Sequence, residues 1–357
     1  MEKTTSKSST MYLKIDPHGD TLITIMGTDT QFSSSSGTVM KPALGKQFLV
    51  SKKHLILASR RAGKVLEGSF KEATAEKDGL FHWDFEPIFD SMAFEIVMYI
   101  IHGHTRHVPE KVNVKLLAQI AAIVDDLECQ NSIWFFAKRW LGQMECPHFH
   151  EMSKDLMRWI LISFVFEESE IFKQVTNDAI RYSTDKTPTF GLPIRPRILD
   201  DIGERRKFIL AHLFDNLQKL QSQLLEQSLG CGQGCRAMMY GTLSQGMKSN
   251  SWLPLPLPPY TSLSISSALR QLKAVEGVDY YCSFKDNNSL NGAGSWKLDF
   301  NPPAREYASY PYSGRPTEET QPRLVRHNCR IEDHLKGLLT ITEYMVLGLG
   351  LSNYLST

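Results

Sequence analysis

Three thiols and one imidazole are the side chains here best suited to chemistry: Cys235, Cys282, His327 and Cys329. Together they form the donor set of a structural zinc site with three cysteines and one histidine. His327-Asn328-Cys329 is a tight pair, although that spacing is not the usual one of zinc fingers. Long stretches of chain separate Cys235, Cys282 and His327, so spacing alone does not define a site. Four unrelated, reduced residues are the competing reading. Cys231 could replace Cys235, one helical turn away, and Cys129 and Cys146 lie near expected helix ends and read as structural.

Other chemistry finds little support. The chain has no GxxxxGK(S/T) phosphate loop, no GxGxxG after a strand, no GxSxG and no HExxH. His54, His82 and His102 are isolated in sequence, without a nearby Cys or Ser in a nucleophile-like context. Asp125-Asp126 reads as a solvated helix face. No enzyme is expected.

The 40 Lys and Arg residues against 39 Asp and Glu leave a net charge of +1, so no basic excess points to nucleic acid. The polar start, Met1 to Thr10, lacks the apolar run of a secretory signal. No stretch approaches the roughly 18 apolar residues that span a bilayer. An intracellular protein of cytoplasm or nucleus is expected, with reduced cysteines and no membrane partner. At 357 residues the chain has room for two or three domains.

The elements that must position these residues begin with a strand over Asp20–Met26. A serine-rich loop from Gly27 to Gly45 leads to a second strand, Gln47–Val50, which should pair with the first. Ser51 is the expected cap of one helix whose stripe runs Leu55, Ala58, Ala62, Val65 and Leu66 up to Gly68. A third strand, Leu80–Phe85, places Phe81, Trp83 and Phe85 on one side. Helices follow, capped at Asp90 or Ser91, at Asn113 and at Asn131, the first of them ending at Gly103. A small sheet packed on helices is an α+β arrangement. From Cys146 to Gly230 the pattern is helical, with Leu210, Leu213, Leu217, Leu220 and Leu224 reading as packing in a helical domain rather than as a coiled-coil seam. Leu253 to Tyr260 alternates Leu and Pro, either a polyproline ligand or a connector with buried leucines. Residues 283–323 read as a flexible loop. A last helix carries Ile331, Leu335, Leu338, Ile341 and Met345 as its stripe.

The order Phe48-Leu49-Val50, Ser51 to Ser59, Leu66 to Ala73, Phe94 to Gly103 and Leu116 to Asp125 resembles a BTB/POZ domain, most closely those of filamentous fungi. The resemblance implies a polar tail at 1–15, a BTB/POZ domain at 16–145, a helical extension at 146–230 and a helical Cys/His-containing region at 231–357. It implies a protein-interaction adaptor or scaffold that self-associates or binds a cullin ubiquitin-ligase scaffold. Phe70-Lys71-Glu72 stands where cullin-binding members carry an apolar residue, any residue and Glu; Phe70 would be the anchor and Glu72 an acceptor. Similar fungal chains also place a Cys, a Cys and an HxC in this order. Where the family tends to carry a proline and an aromatic, this chain has Arg60-Arg61-Ala62. The alternative function is a nuclear regulator with a C-terminal zinc-stabilised module.

Overall fold

The computed structural model describes residues 12–26, 45–86, 88–226, 228–277 and 328–355, with the backbone of three further strands between 281 and 326. The chain divides into two compact units. One comprises Met1–Ala179, Thr187–Asp201 and Gly348–Thr357; the other comprises Ile180–Lys186 and Ile202–Leu347.

The first unit opens with strands β1 (Leu13–Lys14), β2 (Thr21–Ile25) and β3 (Lys46–Val50). Helices α1 (Lys52–Ala58) and α2 (Arg60–Glu67) follow, then β4 (Phe81–Phe85). The sheet order is β1-β3-β2-β4. The expected pairing is present: β2 and β3 run antiparallel with Thr21 opposite Val50 and Ile25 opposite Lys46. β4 joins β2 in parallel, and β1 joins β3 in parallel. As the strand between β3 and β4, β2 buries four of its five residues, while edge strand β4 buries only Trp83 and Phe85. The expected polar tail ends earlier than residue 15, because Leu13 and Lys14 form β1 and Ile15 is buried.

The single helix expected from Ser51 to Gly68 is two. Ser59 adopts an extended backbone between α1 and α2, and its hydroxyl accepts from Ala62 N at 2.9 Å and donates to Leu127 O at 2.5 Å. Ser51 does not cap with its side chain. Instead its N–H donates to His102 Nε2 at 3.0 Å, and Lys52 N donates to Asp20 Oδ1 at 2.7 Å.

Helices α3 (Ser91–Ile101), α4 (Val114–Leu127) and α5 (Gln130–Leu141) bury one face each, Phe94, Val97, Met98 and Ile101 on α3, Leu117, Ile120, Val124 and Leu127 on α4, and Ile133, Ala137 and Trp140 on α5, with Leu116 only half-buried. Asp90 caps α3 through Met92 N and Ala93 N, and Asn113 caps α4 through Leu116 N at 2.8 Å. α5 starts one residue before the expected cap Asn131. Helix α6 (Lys154–Val165) is buried on nearly every face and packs against α4. The boundary expected at 145/146 therefore falls inside the first unit.

Helices α7 (Ser169–Tyr182) and α8 (Pro196–Leu225) follow. In the second unit Leu210, Leu213, Leu217, Leu220 and Leu224 of α8 are all buried, as packing inside a helical domain requires. Next come α9 (Gln233–Ser249) and α10 (Ile265–Lys273), the latter closed by a capping box between Ser264 and Ser267. The region expected to be helical also holds a three-stranded antiparallel sheet: β5 (Tyr281–Phe284), β6 (Leu298–Asp299) and β7 (Arg323–Arg326), in the order β6-β5-β7. Most of the loop expected at 283–323 lies outside the described residues, but Ser283, Phe284, β6 and Arg323 are strand. α11 (Ile331–Met345) closes the unit against α9 and α10. It buries Ile331, Leu335 and Thr342, whereas the expected core residue Ile341 is 50% exposed. Among the described residues no helix is long and apolar enough to cross a membrane.

Candidate metal centre and partner-binding segment

Three cysteines converge at the starts of α9 and α11. Gly230 takes a left-handed φ of +82°, and a Cβ there would sit 3.1 Å from the Cys235 sulfur and 3.0 Å from Met239 Cε, so glycine is the residue that fits. Cys231 follows it, Gly232 occupies the N-cap position of α9, and Cys235 lies in that helix's first turn, buried. Cys329 stands just before Arg330, the N-cap residue of α11. Neither Gly232 nor Arg330 caps with a side chain, so two positive helix ends open beside the cysteines. The sulfurs of Cys231, Cys235 and Cys329 all lie within 4.8 Å of one another, and none is in a disulfide.

Zinc–sulfur bonds of about 2.3 Å in a tetrahedron would set sulfurs ~3.8 Å apart, so a contraction of at most about an ångström closes the site. Cys231 is exposed as a residue, yet its sulfur is directed at the other two. Desolvation, then the neighbouring Cys235 and Cys329, push its thiol up to about 12. A cation among the three sulfurs would reverse that preference, since metal binding releases thiol protons. Glu332 accepts from Gly277 N at 2.6 Å through Oε1, while its buried Oε2 has no hydrogen-bond partner among the described residues. Glu332 and Cys329 border the same cavity of about 10 Å³, room for about one water. Three sulfurs this close fit a divalent ion.

Of the expected ligands, the structure unites Cys235 and Cys329, and Cys231 joins both rather than replacing Cys235. Cys282 lies on β5 opposite Val325, with its side chain undescribed, and His327 lies outside the described residues. The signal for Cys231 was its place in Gly230-Cys231-Gly232-Gln233-Gly234-Cys235, a glycine-rich turn into a helix.

In the first unit Gly68 ends α2, where any Cβ would meet Lys64 O at 2.3 Å. The chain turns there, and Phe70 stands 56% exposed at the head of a 3-10 turn spanning Lys71–Ala73. Lys71 points into solvent; Glu72 keeps 17% of its side-chain exposure and lies 3.8 Å from Lys71. Ala73 N donates to Phe70 O at 3.0 Å, fixing the turn.

Other residues singled out in the sequence are engaged structurally. Arg61 pairs with Asp126 and lies over Trp83 and Phe85, while Arg60 reaches Glu128 at 3.5 Å and Ala62 is buried. Asp125 meets Arg195 at 3.4 Å, so the aspartate pair is not merely solvated. Burial raises the Asp126 carboxyl, an effect that Arg61 opposes. His54 and His102, isolated in sequence, are ring neighbours 5.1 Å apart; His82 pairs with Asp78 at 2.9 Å.

No family model, curated protein or solved structure matches this chain.

Proposed function

We propose that the first unit is a protein-interaction module of the BTB/POZ kind, acting as an adaptor that engages a cullin scaffold through Phe70, Lys71 and Glu72. The exposure of Phe70 carries this reading: a large ring stands 56% exposed on a turn whose backbone is pinned. The order of an antiparallel strand pair, two short helices, a parallel third strand and helices agrees with the resemblance. Arg61 is met by Asp126, and Arg60 shares Glu128 with Lys64, so part of the charge at that departure from the family is offset within the unit.

Calorimetry with a purified cullin amino-terminal region tests the reading. Fully burying a Phe contributes about 1.5–3 kcal/mol, so covering the exposed 56% is worth ~0.8–1.7 kcal/mol. Phe70→Ala should therefore weaken binding about 4- to 17-fold without unfolding the chain. Absent binding by the native chain, or unchanged affinity in a folded variant, overturns the adaptor reading.

For the second unit we infer that the ion is zinc in a structural role. Cys231, Cys235 and Cys329 hold it, and Cys282 or His327 supplies the fourth donor. The ion fastens the starts of α9 and α11 across a long intervening stretch of chain. Thiolate ligands select soft or borderline cations, which favours zinc over calcium or magnesium.

A further inference from the structure

Away from the Phe70 turn, the first unit carries a groove of about 190 Å³ between the starts of α3 and α6, one side of α4 and the loop at 190–193. Its floor is open because α4 presents Ala118 and Ala122, one turn apart, where longer side chains would fill the space. Ile88, 69% exposed, and Phe190, 42% exposed, form apolar walls. Phe190 holds a left-handed φ of +51°, a conformation that costs a bulky residue of order 1–3 kcal/mol. Its loop is fixed by Leu192 N donating to Thr189 O at 3.0 Å and Gly191 N donating to Thr189 Oγ1 at 3.3 Å. A strained aromatic is thus displayed at the rim rather than buried.

The rim is positive although the whole chain is nearly neutral. Lys115, Lys154 and Arg158 line the groove against one carboxylate, Asp90. Asp90 spends its Oδ1 capping α3, and Arg158 pairs with Asp155 at 2.5 Å. Lys115 and Lys154 have no ion-pair partner among the described residues. Two uncompensated cations therefore flank a depression of mixed polar and apolar lining, about 190 Å³ in volume. That is the size of one bulky side chain, too small for the stacked bases and phosphate track of a nucleic acid.

We propose that this groove docks an extended acidic peptide of a partner protein. One apolar side chain sits over Ala118 and Ala122 between Ile88 and Phe190, and flanking carboxylates meet Lys115 and Lys154. Gln119, which also lines the groove, is placed to take a hydrogen bond from the peptide backbone.

A phage-displayed library of short random peptides panned on the full chain tests this, followed by fluorescence anisotropy with the selected peptide carrying a fluorescein label. The expected selection is a leucine or aromatic residue flanked by Asp or Glu. The double variant Lys115→Glu/Lys154→Glu should raise the dissociation constant about tenfold or more, with the melting curve unchanged. Ala122→Phe, which fills the groove without touching its charge, should do the same. Phe70→Ala should leave this binding intact. The proposal is overturned if panning enriches no acidic sequence, or if the selected peptide binds both variants as it binds the native chain. Displacement by polyuridine RNA but not by unlabelled peptide would assign the groove to nucleic acid and also overturn it.

Discussion

Arg206→Met probes how the second unit holds its Leu-Pro segment. The guanidinium is fully buried and donates to Pro259 O at 2.9 Å, Tyr260 O at 3.2 Å and Leu263 O at 2.7 Å. Asp185 secures the same stretch by accepting from Ser262 N at 3.0 Å. Burial lowers the arginine's pKa, and the Asp185 charge opposes that shift. Methionine keeps the unbranched hydrocarbon but removes every donor. Pro259 is exposed, so its carbonyl can return to water, while Tyr260 is buried and Leu263 half-buried. Losing charge-assisted donors at those two carbonyls costs roughly 3–6 kcal/mol, and removing the buried Nε, which has no partner among the described residues, returns about 1–3. The difference is about 2.5 kcal/mol. For a unit of this size that lowers the melting temperature by ~5–10 °C. Hydrogen exchange measured by mass spectrometry on peptides covering 253–264 should accelerate about 70-fold, because 1.36 kcal/mol is a factor of ten. A variant that melts with the native chain and exchanges this segment at the native rate would show that Arg206 is not its anchor.

Two further outcomes follow from the buried titratable groups and the cysteines. Burial, the largest cause, and the neighbouring His54 lower the pKa of His102, against opposing effects of the Met98 carbonyl and Asp16. The neutral ring donates from Nδ1 to Met98 O at 2.8 Å and accepts Ser51 N–H at Nε2. The folded state thus binds fewer protons than the unfolded one. Its contribution is present above pH ~6.5 and is lost as pH falls through the depressed folded value. Urea midpoints taken between about pH 7.5 and 5 should fall on acidification and fall less in His102→Gln; equal slopes would sink the assignment. For the metal, elemental analysis of purified chain should find close to one zinc, lost in Cys231→Ser, Cys235→Ser and Cys329→Ser and retained in Cys146→Ser. Cys282→Ala and His327→Ala then identify the fourth donor, and native chain purified without zinc from zinc-supplemented cells would refute the site.

What the sequence made legible was local. Asp90, Asn113 and Gly103 announced helix starts and a stop because a cap bonds to N–H groups two or three residues away. The β2–β3 pairing was legible through its β-branched and aromatic runs. Ser59 was not, because Leu55, Ala62 and Leu66 keep a helical period across it, while the partner that stabilises the break, Leu127 O, comes from another helix. Ile341 misled for a similar reason. It extends an apolar stripe from Ile331 and Leu335, yet Thr342 turns inward, its hydroxyl satisfied by Leu338 O at 2.8 Å. A polar residue that bonds its own helix can enter a core without leaving a signal in the apolar pattern.

The cysteines show the same limit at longer range. The glycines around Cys231 and Cys235 encode a turn into a helix, which aims two sulfurs at one spot. Nothing in that stretch specifies Cys329. Its arrival depends on α11 packing against α9, and that docking is written in buried residues such as Met239 and Leu335 rather than in any cysteine spacing. A donor set assembled by tertiary packing has no fixed interval. The order of Cys and His along the chain could therefore nominate ligands, but it could not reveal that Cys231 and Cys235 act together.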